Sequence, residues 1–220
     1  MNRPASFSHS TYLAKTALYE RWAPEPLRSF ERLAEACFRD GALSRREKEL
    51  IAVGSAHVLR CPYCIDYHIG LARRAGSDKS EIAEAIWVGI AMGAGACFGH
   101  AAVAMRSLDG LSGDYYAPDT KQRSGDLAAL HPTAYGAYTE LHQAAFSDGA
   151  LTQGLKELIA VACAHNTRCP FCIDTHVRAA LDAGYERKAI AEAVWVAIEM
   201  GAGACFGHAG LAAAIMEERA

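Results

Sequence analysis

Two short cysteine motifs carry the clearest chemical signal in the sequence. The segments Cys61–Cys64 (CPYC) and Cys169–Cys172 (CPFC) each place two cysteines three residues apart, and His68 and His176 follow four residues later. On a helix these spacings put all three side chains on one face. A helix N-terminus and a nearby imidazole both favour the reactive thiolate. The pattern indicates a redox-active thiol pair, with a zinc site or inert buried thiols as alternatives.

The two motifs belong to a duplicated module. Shifting the sequence by 108 residues, the distance from Cys61 to Cys169, aligns it with itself without a gap. Residues 41–70 then match 149–178, and residues 82–101 match 190–209. We therefore expect a first repeat over residues 1–107 and a second over residues 133–220. Residues 108–132, rich in Gly, Asp, Ser and Pro, are the predicted linker and the start of the second repeat's leading segment.

A glutamate precedes each cysteine pair by twelve residues, at Glu49 and Glu157. Such a carboxylate could orient the histidine and assist proton transfer. From spacing alone, a solvent-exposed glutamate beside Lys48 or Lys156 is the favoured interpretation. The retention of glutamate in both copies strengthens the interpretation that it orients the histidine.

A second cysteine–histidine element, GAGACFGH, closes each long apolar segment, with Cys97 and His100 in the first copy and Cys205 and His208 in the second. Its small residues favour close helix packing. Cys97 could be a small buried side chain, or it could line the thiol pocket. With the two cysteines of the CPYC motif, Cys97 and His100 would also supply three thiols and an imidazole, an adequate set for zinc or copper.

The local signals predict helices throughout. A helix is expected over Pro26–Phe38, and Ser44 with Glu47 forms the sequence pattern of a capping box. Pro62 suits the first turn of a further helix, which Gly76 can terminate. No alternating runs flanked by hairpin turns are present, so the predicted fold class is an all-α helical bundle.

Composition excludes several classes of protein. The chain of 220 residues has a net charge of -3 and no basic patch, which argues against nucleic-acid binding.

The N-terminus lacks the apolar run of a secretory signal, so we expect a cytoplasmic protein. Ile86–Met105 is uncharged and long enough to cross a bilayer, but its counterpart contains Glu199. Because a carboxylate is costly in lipid, a buried core segment is the preferred interpretation and no membrane partner is expected.

Several other residues receive weaker assignments. Cys37 and Cys163 have no counterpart cysteine in the other repeat and are predicted to be inert. Trp87 and Trp195 match in register and fit a core position or an oligomer interface. His142 is assigned to the linker or the surface.

The pattern Glu-x11-Cys-x2-Cys-x3-His, with the surrounding KELIAVGSAH and CPYCIDYH, resembles the AhpD-like alkylhydroperoxidases of the carboxymuconolactone decarboxylase superfamily. The resemblance covers about residues 30–105 and 138–216. It implies an AhpD-like helical fold and a peroxidase cycle through a sulfenic acid and a disulfide. The roles that it implies are peroxide attack by Cys64 and Cys172, resolution by Cys61 and Cys169, and proton relay by His68, His176, Glu49 and Glu157.

The resemblance also implies partners. They are a peroxide substrate and an external dithiol or disulfide-reducing protein, with no required cofactor. Single-module relatives form hexamers, so a duplicated chain should form a homotrimer. One departure stands out, because Tyr63 and Phe171 occupy the position where the family has a histidine before the second cysteine. A metal-binding protein and a cofactor-free decarboxylase of the wider superfamily remain the alternatives.

Overall fold

The computed structural model describes residues 13–110, 113–114 and 120–218. Within these residues every regular element is helical, which confirms the all-α prediction. Residues 1–12 and 219–220 of the predicted repeats, and 111–112 and 115–119 of the predicted linker, lie outside the described residues. The α-helices are α1 (Tyr19–Trp22), α2 (Pro24–Phe38), α3 (Arg45–Val58), α4 (Pro62–Arg74), α5 (Lys79–Leu108), α6 (Ser124–Leu130), α7 (Pro132–Phe146), α8 (Gln153–Asn166), α9 (Pro170–Asp182) and α10 (Arg187–Glu218).

Local sequence signals account for most helix ends. Ser44 and Glu47 form the predicted capping box at the start of α3. Helix α4 begins at Pro62 as predicted, and Gly76 follows its end with a φ of 94°. Helix α2 begins at Pro24, two residues before the predicted start, since both prolines of the pair fit in its first turn. The predicted linker contains a 3-10 helix, Thr120–Arg123, followed by α6.

The centre of the bundle is the contact between α3 and α8, the equivalent helices of the two repeats. Each helix has a continuous buried segment, over residues 48–56 in α3 and 155–164 in α8. Gly54 makes the close approach possible, because an added Cβ would clash with the side chain of Ile159. The core is therefore shared between the repeats.

The two repeats interlock through their long helices. Helix α10 of the second repeat packs against α2 and α4 of the first, and α5 of the first packs against α7 and α9 of the second. Each cysteine motif begins α4 or α9. The long helix of one repeat therefore covers the cysteine motif of the other.

Two equivalent ion pairs hold each long helix against the other repeat. Glu192 on α10 accepts hydrogen bonds from the backbone N–H groups of residues 42–43 at 2.9 and 3.0 Å, and it lies 3.0 Å from Lys48 Nζ. Glu84 on α5 makes the equivalent contacts in the second repeat, including 2.9 Å to Lys156 Nζ. Burial acts to raise the pKa of Glu192, but these hydrogen bonds and Lys48 hold it below its ordinary value.

Helices α5 and α10 are long and apolar enough to cross a membrane by length and composition alone. Core helices pass the same test, and both pack against α3 and α8 within the bundle. The outer side of each carries a matched apolar pair, Trp87 with Ile90 and Trp195 with Ile198. The two tryptophans are 50% and 52% exposed, so the alternative that they belong to the core is wrong.

Candidate active site

The turn before each cysteine motif is a Schellman motif built without glycine. Helix α3 ends with the N–H of Arg60 bonded to the carbonyl of His57, and the N–H of Cys61 bonded to that of Ala56. Arg60 has a φ of 54°, and Arg168 has a φ of 56° in the second repeat. The left-handed conformation costs a non-glycine residue roughly 1–2 kcal/mol. The turn could not be predicted from the residue types because glycine, its usual residue, is absent.

The two cysteines of the first motif differ in their surroundings. Cys61 is the N-cap of α4, is fully buried, and its Sγ accepts a hydrogen bond of 3.2 Å from the backbone N–H of Cys64. Cys64 lies in the first turn, is 6% exposed and lines a cavity. The Cα atoms are 5.3 Å apart and the sulfurs are joined in a disulfide. This separation lies within the usual range for disulfide-bonded cysteines.

The second motif repeats this geometry. The Sγ of Cys169 accepts a hydrogen bond of 3.3 Å from the backbone N–H of Cys172, and the two sulfurs form a disulfide. Cys169 is fully buried and Cys172 is 9% exposed. The positional difference between the two cysteines is therefore the same in both repeats.

A buried carboxylate holds the histidine of the first site. Nδ1 of His68 lies 2.8 Å from Oε2 of Glu49, and both side chains are buried. The other carboxyl oxygen of Glu49 accepts a hydrogen bond of 2.9 Å from Nε of Arg45. Phe38 stacks on the imidazole with ring centroids 5.4 Å apart. Glu49 therefore faces His68, and its alternative assignment as a solvent-exposed glutamate is wrong.

The second site has an equivalent Glu–His pair, but a neutral glutamine stands where the first site has an arginine. Nδ1 of His176 lies 2.7 Å from Oε2 of Glu157, and Phe146 stacks on the imidazole at 5.3 Å. The residue equivalent to Arg45 is Gln153, so the arginine ion pair has no counterpart in the second repeat. In both sites the carboxylate fixes the orientation of the ring and leaves Nε2 to exchange a proton.

A cavity of about 240 Å³ opens on Cys64 and His68. Both repeats contribute to its wall, which is mostly apolar. The remaining lining residues are Leu13, Phe30, Ala34, Tyr63, Tyr67, Glu199, Gly203, Phe206 and Gly207.

The glycines of the GAGACFGH element let each long helix approach the opposite motif. An added Cβ at Gly207 would lie 3.2 Å from Cβ of Tyr63, and one at Gly99 would lie 3.1 Å from Sγ of Cys169. Both distances are tighter than ordinary packing contacts. The predicted role in close helix packing is confirmed, although the partner helix belongs to the other repeat.

The structure does not assemble the four-residue metal set. The sulfurs of Cys61 and Cys64 are bonded to each other, whereas Cys97 and His100 lie on α5, which faces the second motif through Gly99. Over residues 13–110, 113–114 and 120–218, no cluster of three or more His, Cys, Asp or Glu side chains could hold a metal ion. Cys97 and Cys205 are exposed, which also rules out the small buried side chain considered for Cys97. His100 and His208 bond through Nδ1 to backbone carbonyls of their own helices.

Two titratable residues near the histidines were not predicted to belong to the sites. Glu199 is 5% exposed and lines the first cavity, where burial raises its pKa. His142 is half-buried on α7 with its ring 6.2 Å from that of His176, so it lies beside the second site and not in the linker. Burial and then His176 lower the pKa of His142. Their equivalents are Ala91 and Ala34, and this mismatch between repeats is the signal that could have found them.

The unmatched cysteines away from the motifs have the surroundings of inert thiols. Cys163 is completely buried, and burial raises its pKa to about 12. Burial, reinforced by the charge of Glu199, also raises the pKa of Cys37. Neither thiol ionises readily at neutral pH.

Fold and site together define an internally duplicated, all-helical protein with one cysteine pair and one buried Glu–His pair in each repeat. Residues 24–106 and 132–215 both match the carboxymuconolactone decarboxylase family, and the chain belongs to that family as a tandem, AhpD-like member.

Curated relatives match over the length of a single repeat. An uncharacterised protein of the cox locus of Paracoccus denitrificans is 48% identical over 85 residues, which is 39% of this chain and 77% of the relative. An uncharacterised protein of Cupriavidus necator is 36% identical over 85 residues, which is 39% of this chain and 75% of the relative.

A solved structure matches the whole chain. The crystal structure of a candidate γ-carboxymuconolactone decarboxylase subunit from Burkholderia xenovorans superposes with a TM-score of 0.68 and 18% identity, covering 98% of both chains. At that identity the likeness shows the fold alone.

Proposed function

We propose that this protein is a thiol-dependent peroxidase that reduces hydroperoxides with one cysteine pair in each repeat. One observation carries the proposal. In each repeat a slightly exposed cysteine in the first turn of a helix accompanies a buried histidine whose Nδ1 is held by a buried glutamate. Helix N-terminus and imidazole both favour the thiolate, which is the form that attacks peroxide.

The exposure of the cysteines supports a division of roles. Cys64 lines the cavity, whereas Cys61 is fully buried beneath it. A peroxide can therefore reach Cys64 first, and Cys61 is positioned to react with the oxidised product. In the second repeat the same argument assigns attack to Cys172 and resolution to Cys169.

The cycle balances as follows in the first repeat. His68, held by Glu49, accepts the proton of the Cys64 thiol. The Cys64 thiolate attacks one peroxide oxygen, the O–O bond breaks, and the products are a sulfenic acid and, after protonation, an alcohol or water. The Cys61 thiol then displaces the sulfenic hydroxyl as water and forms the disulfide. The sulfur pair is oxidised by two electrons and the peroxide is reduced by two.

The disulfide must be returned to two thiols by an external dithiol or a disulfide-reducing protein. The exposed first turn of α4, at Pro62, leaves one edge of the motif accessible to such a partner. If the reduced cysteine pair exchanges with an external disulfide, the protein acts as a disulfide reductase.

We also propose that the protein forms a homotrimer. The matched exposed pairs Trp87 with Ile90 and Trp195 with Ile198 supply apolar surface for this assembly.

The absence of a histidine at Tyr63 and Phe171 removes one proton-relay group of the family. Both positions are aromatic and their neighbours come from the opposite long helix: Gly207 contacts Tyr63 and Gly99 contacts Phe171. Proton transfer in each site therefore depends on the Glu–His pair and on other titratable side chains beside it.

Thiol counting tests the proposal. The fully reduced chain is treated with increasing hydroperoxide, and thiols are assigned by mass spectrometry. We expect two disulfides per chain, Cys61–Cys64 and Cys169–Cys172, with the other four cysteines still reduced. Motif cysteines that stay reduced would exclude the peroxidase. A decarboxylation that survives the double change Cys64→Ala, Cys172→Ala would instead establish the decarboxylase alternative.

A further inference from the structure

Glu199 places a carboxyl group of the second repeat in the cavity of the first-repeat site. The side chain lies on α10, is 5% exposed, and lines the same cavity as Cys64 and His68. Its Oε2 atom is buried without a hydrogen-bond partner among the described residues. The cavity therefore contains a polar group that is free to bond a ligand.

The surroundings of Glu199 favour the neutral carboxylic acid. An unpaired carboxylate is costly to bury. Burial is the main cause that raises the pKa of Glu199, and the charge of Glu49 adds to it, while His68 acts in the opposite direction. Glu49 differs sharply, because it bonds both Arg45 and His68. Two carboxyl groups kept in opposite surroundings are a recurrent arrangement for separating an acid from a base.

The rest of the cavity suits an organic group. Its wall includes Leu13, Phe30, Ala34 and Phe206, and its volume is about 240 Å³. The polar side chains that line the cavity are those of Cys64, His68 and Glu199, together with Tyr63 and Tyr67. A small apolar molecule with one polar end would place that end against the thiol and the carboxyl group.

We propose that Glu199 is the general acid of the first-repeat site and that it protonates the oxygen leaving group when Cys64 attacks an organic hydroperoxide. This inference rests on the proposed peroxidase function. It assigns to the second repeat a residue that acts on substrate in the first.

The protons taken up and released by the site are equal over one catalytic cycle. The Cys64 thiolate bonds to the terminal oxygen of the hydroperoxide, the O–O bond breaks, and the alkoxide takes the proton of Glu199 and leaves as an alcohol. Cys61 then releases water and forms the disulfide. When an external dithiol restores both thiols, the proton of the Cys64 thiol passes through His68 to the Glu199 carboxylate. The site returns to a thiolate and a neutral acid.

The second-repeat site lacks this group, because Ala91 is the residue equivalent to Glu199. Its additional titratable residue is His142, at the position of Ala34, with a ring that stacks on Phe146. The two sites are consequently unequal. At this position the first site has a carboxyl group, whereas the second has the methyl group of an alanine.

The test uses the full chain with Cys172→Ser, so that the first pair alone can form a disulfide. Glu199→Gln is compared with Glu217→Gln, which changes an exposed glutamate of the same helix. Single-turnover formation of the Cys61–Cys64 disulfide is followed with tert-butyl hydroperoxide and with peracetic acid. An alkoxide needs a proton to leave, whereas acetate does not. We expect Glu199→Gln to slow the alkyl hydroperoxide reaction roughly ten- to hundredfold more than the peracid reaction. Glu217→Gln should leave both rates unchanged.

The outcomes separate the two proposals. An equal loss with both oxidants, or no loss with either, would overturn the role of Glu199 while leaving the peroxidase intact. A parent chain that forms no disulfide with either oxidant would overturn both. Glu199→Ala, which copies the second repeat, provides a second variant and should show the same selective loss for the alkyl hydroperoxide.

Discussion

Nδ1 of His68 lies 2.8 Å from Oε2 of Glu49, although nineteen residues and a helix boundary separate them. The same relationship joins His176 and Glu157 at 2.7 Å. In each case the carboxylate orients the ring through Nδ1, so that Nε2 is available to take the proton of a thiol. This contact links the sequence spacing to the proposed chemistry.

Neutralising the carboxylate should slow thiol oxidation. In the chain with Cys172→Ser, Glu49→Gln keeps the side-chain shape but removes the charge that stabilises a protonated His68. We expect disulfide formation with hydroperoxide to fall roughly a hundredfold, the usual contribution of a positioned base. Stopped-flow measurement of thiol loss tests this. Glu31→Gln, an exposed position on α2, is the matched control, and a Glu49→Gln rate equal to that of the control would contradict the assignment.

The stability of the protein should depend on Glu199 with a defined sign. Burial raises its pKa in the folded chain above the value in the unfolded chain. Folding therefore favours the protonated form, and the contribution of Glu199 is complete at low pH and is lost as pH rises through the interval between the two pKa values. The melting temperature of Glu199→Gln relative to the unchanged chain should increase from about pH 4 towards neutrality. A difference that shrinks over that range would show that the carboxyl group is stabilised as an anion.

The packing of α10 against the first repeat should depend on the ion pair between Glu192 and Lys48. The ammonium group of Lys48 is almost fully buried, and Glu192 also accepts two backbone hydrogen bonds. Glu192→Gln should lower the free energy of unfolding by about 1–3 kcal/mol, the cost of leaving such a buried group poorly satisfied. Urea denaturation measures this. Glu35→Gln breaks an exposed pair with Arg39 and should cost under about 0.5 kcal/mol. Equal effects would mean that the cross-repeat contact is dispensable.

Much of the local fold could be predicted from the sequence. The capping box at Ser44, the proline start at Pro62 and the 108-residue self-alignment depend on short-range chemistry that the residues display directly. Helical periodicity, however, identifies an apolar face without saying which helix covers it. The contacts of Gly99 with the second motif and of Gly207 with the first therefore appear only in the structure.

The same division holds for the site. Spacing and duplication suggested that Glu49 could reach His68, since both residues recur at matched positions. Glu199 and His142 were missed as site residues because each stands opposite an alanine in the other repeat, at Ala91 and Ala34. Duplication directed attention to what the repeats share, whereas these residues are where the repeats differ.

The most direct measurement traps the attacking sulfur. With Cys61→Ser and Cys169→Ser, a sulfenic acid cannot resolve to the intramolecular disulfide and can be captured by dimedone. After treatment with one equivalent of tert-butyl hydroperoxide per site, mass spectrometry should find the adduct on Cys64 and Cys172. Adducts confined to the exposed thiols Cys97 and Cys205, or no adduct at all, would contradict the proposed thiol chemistry.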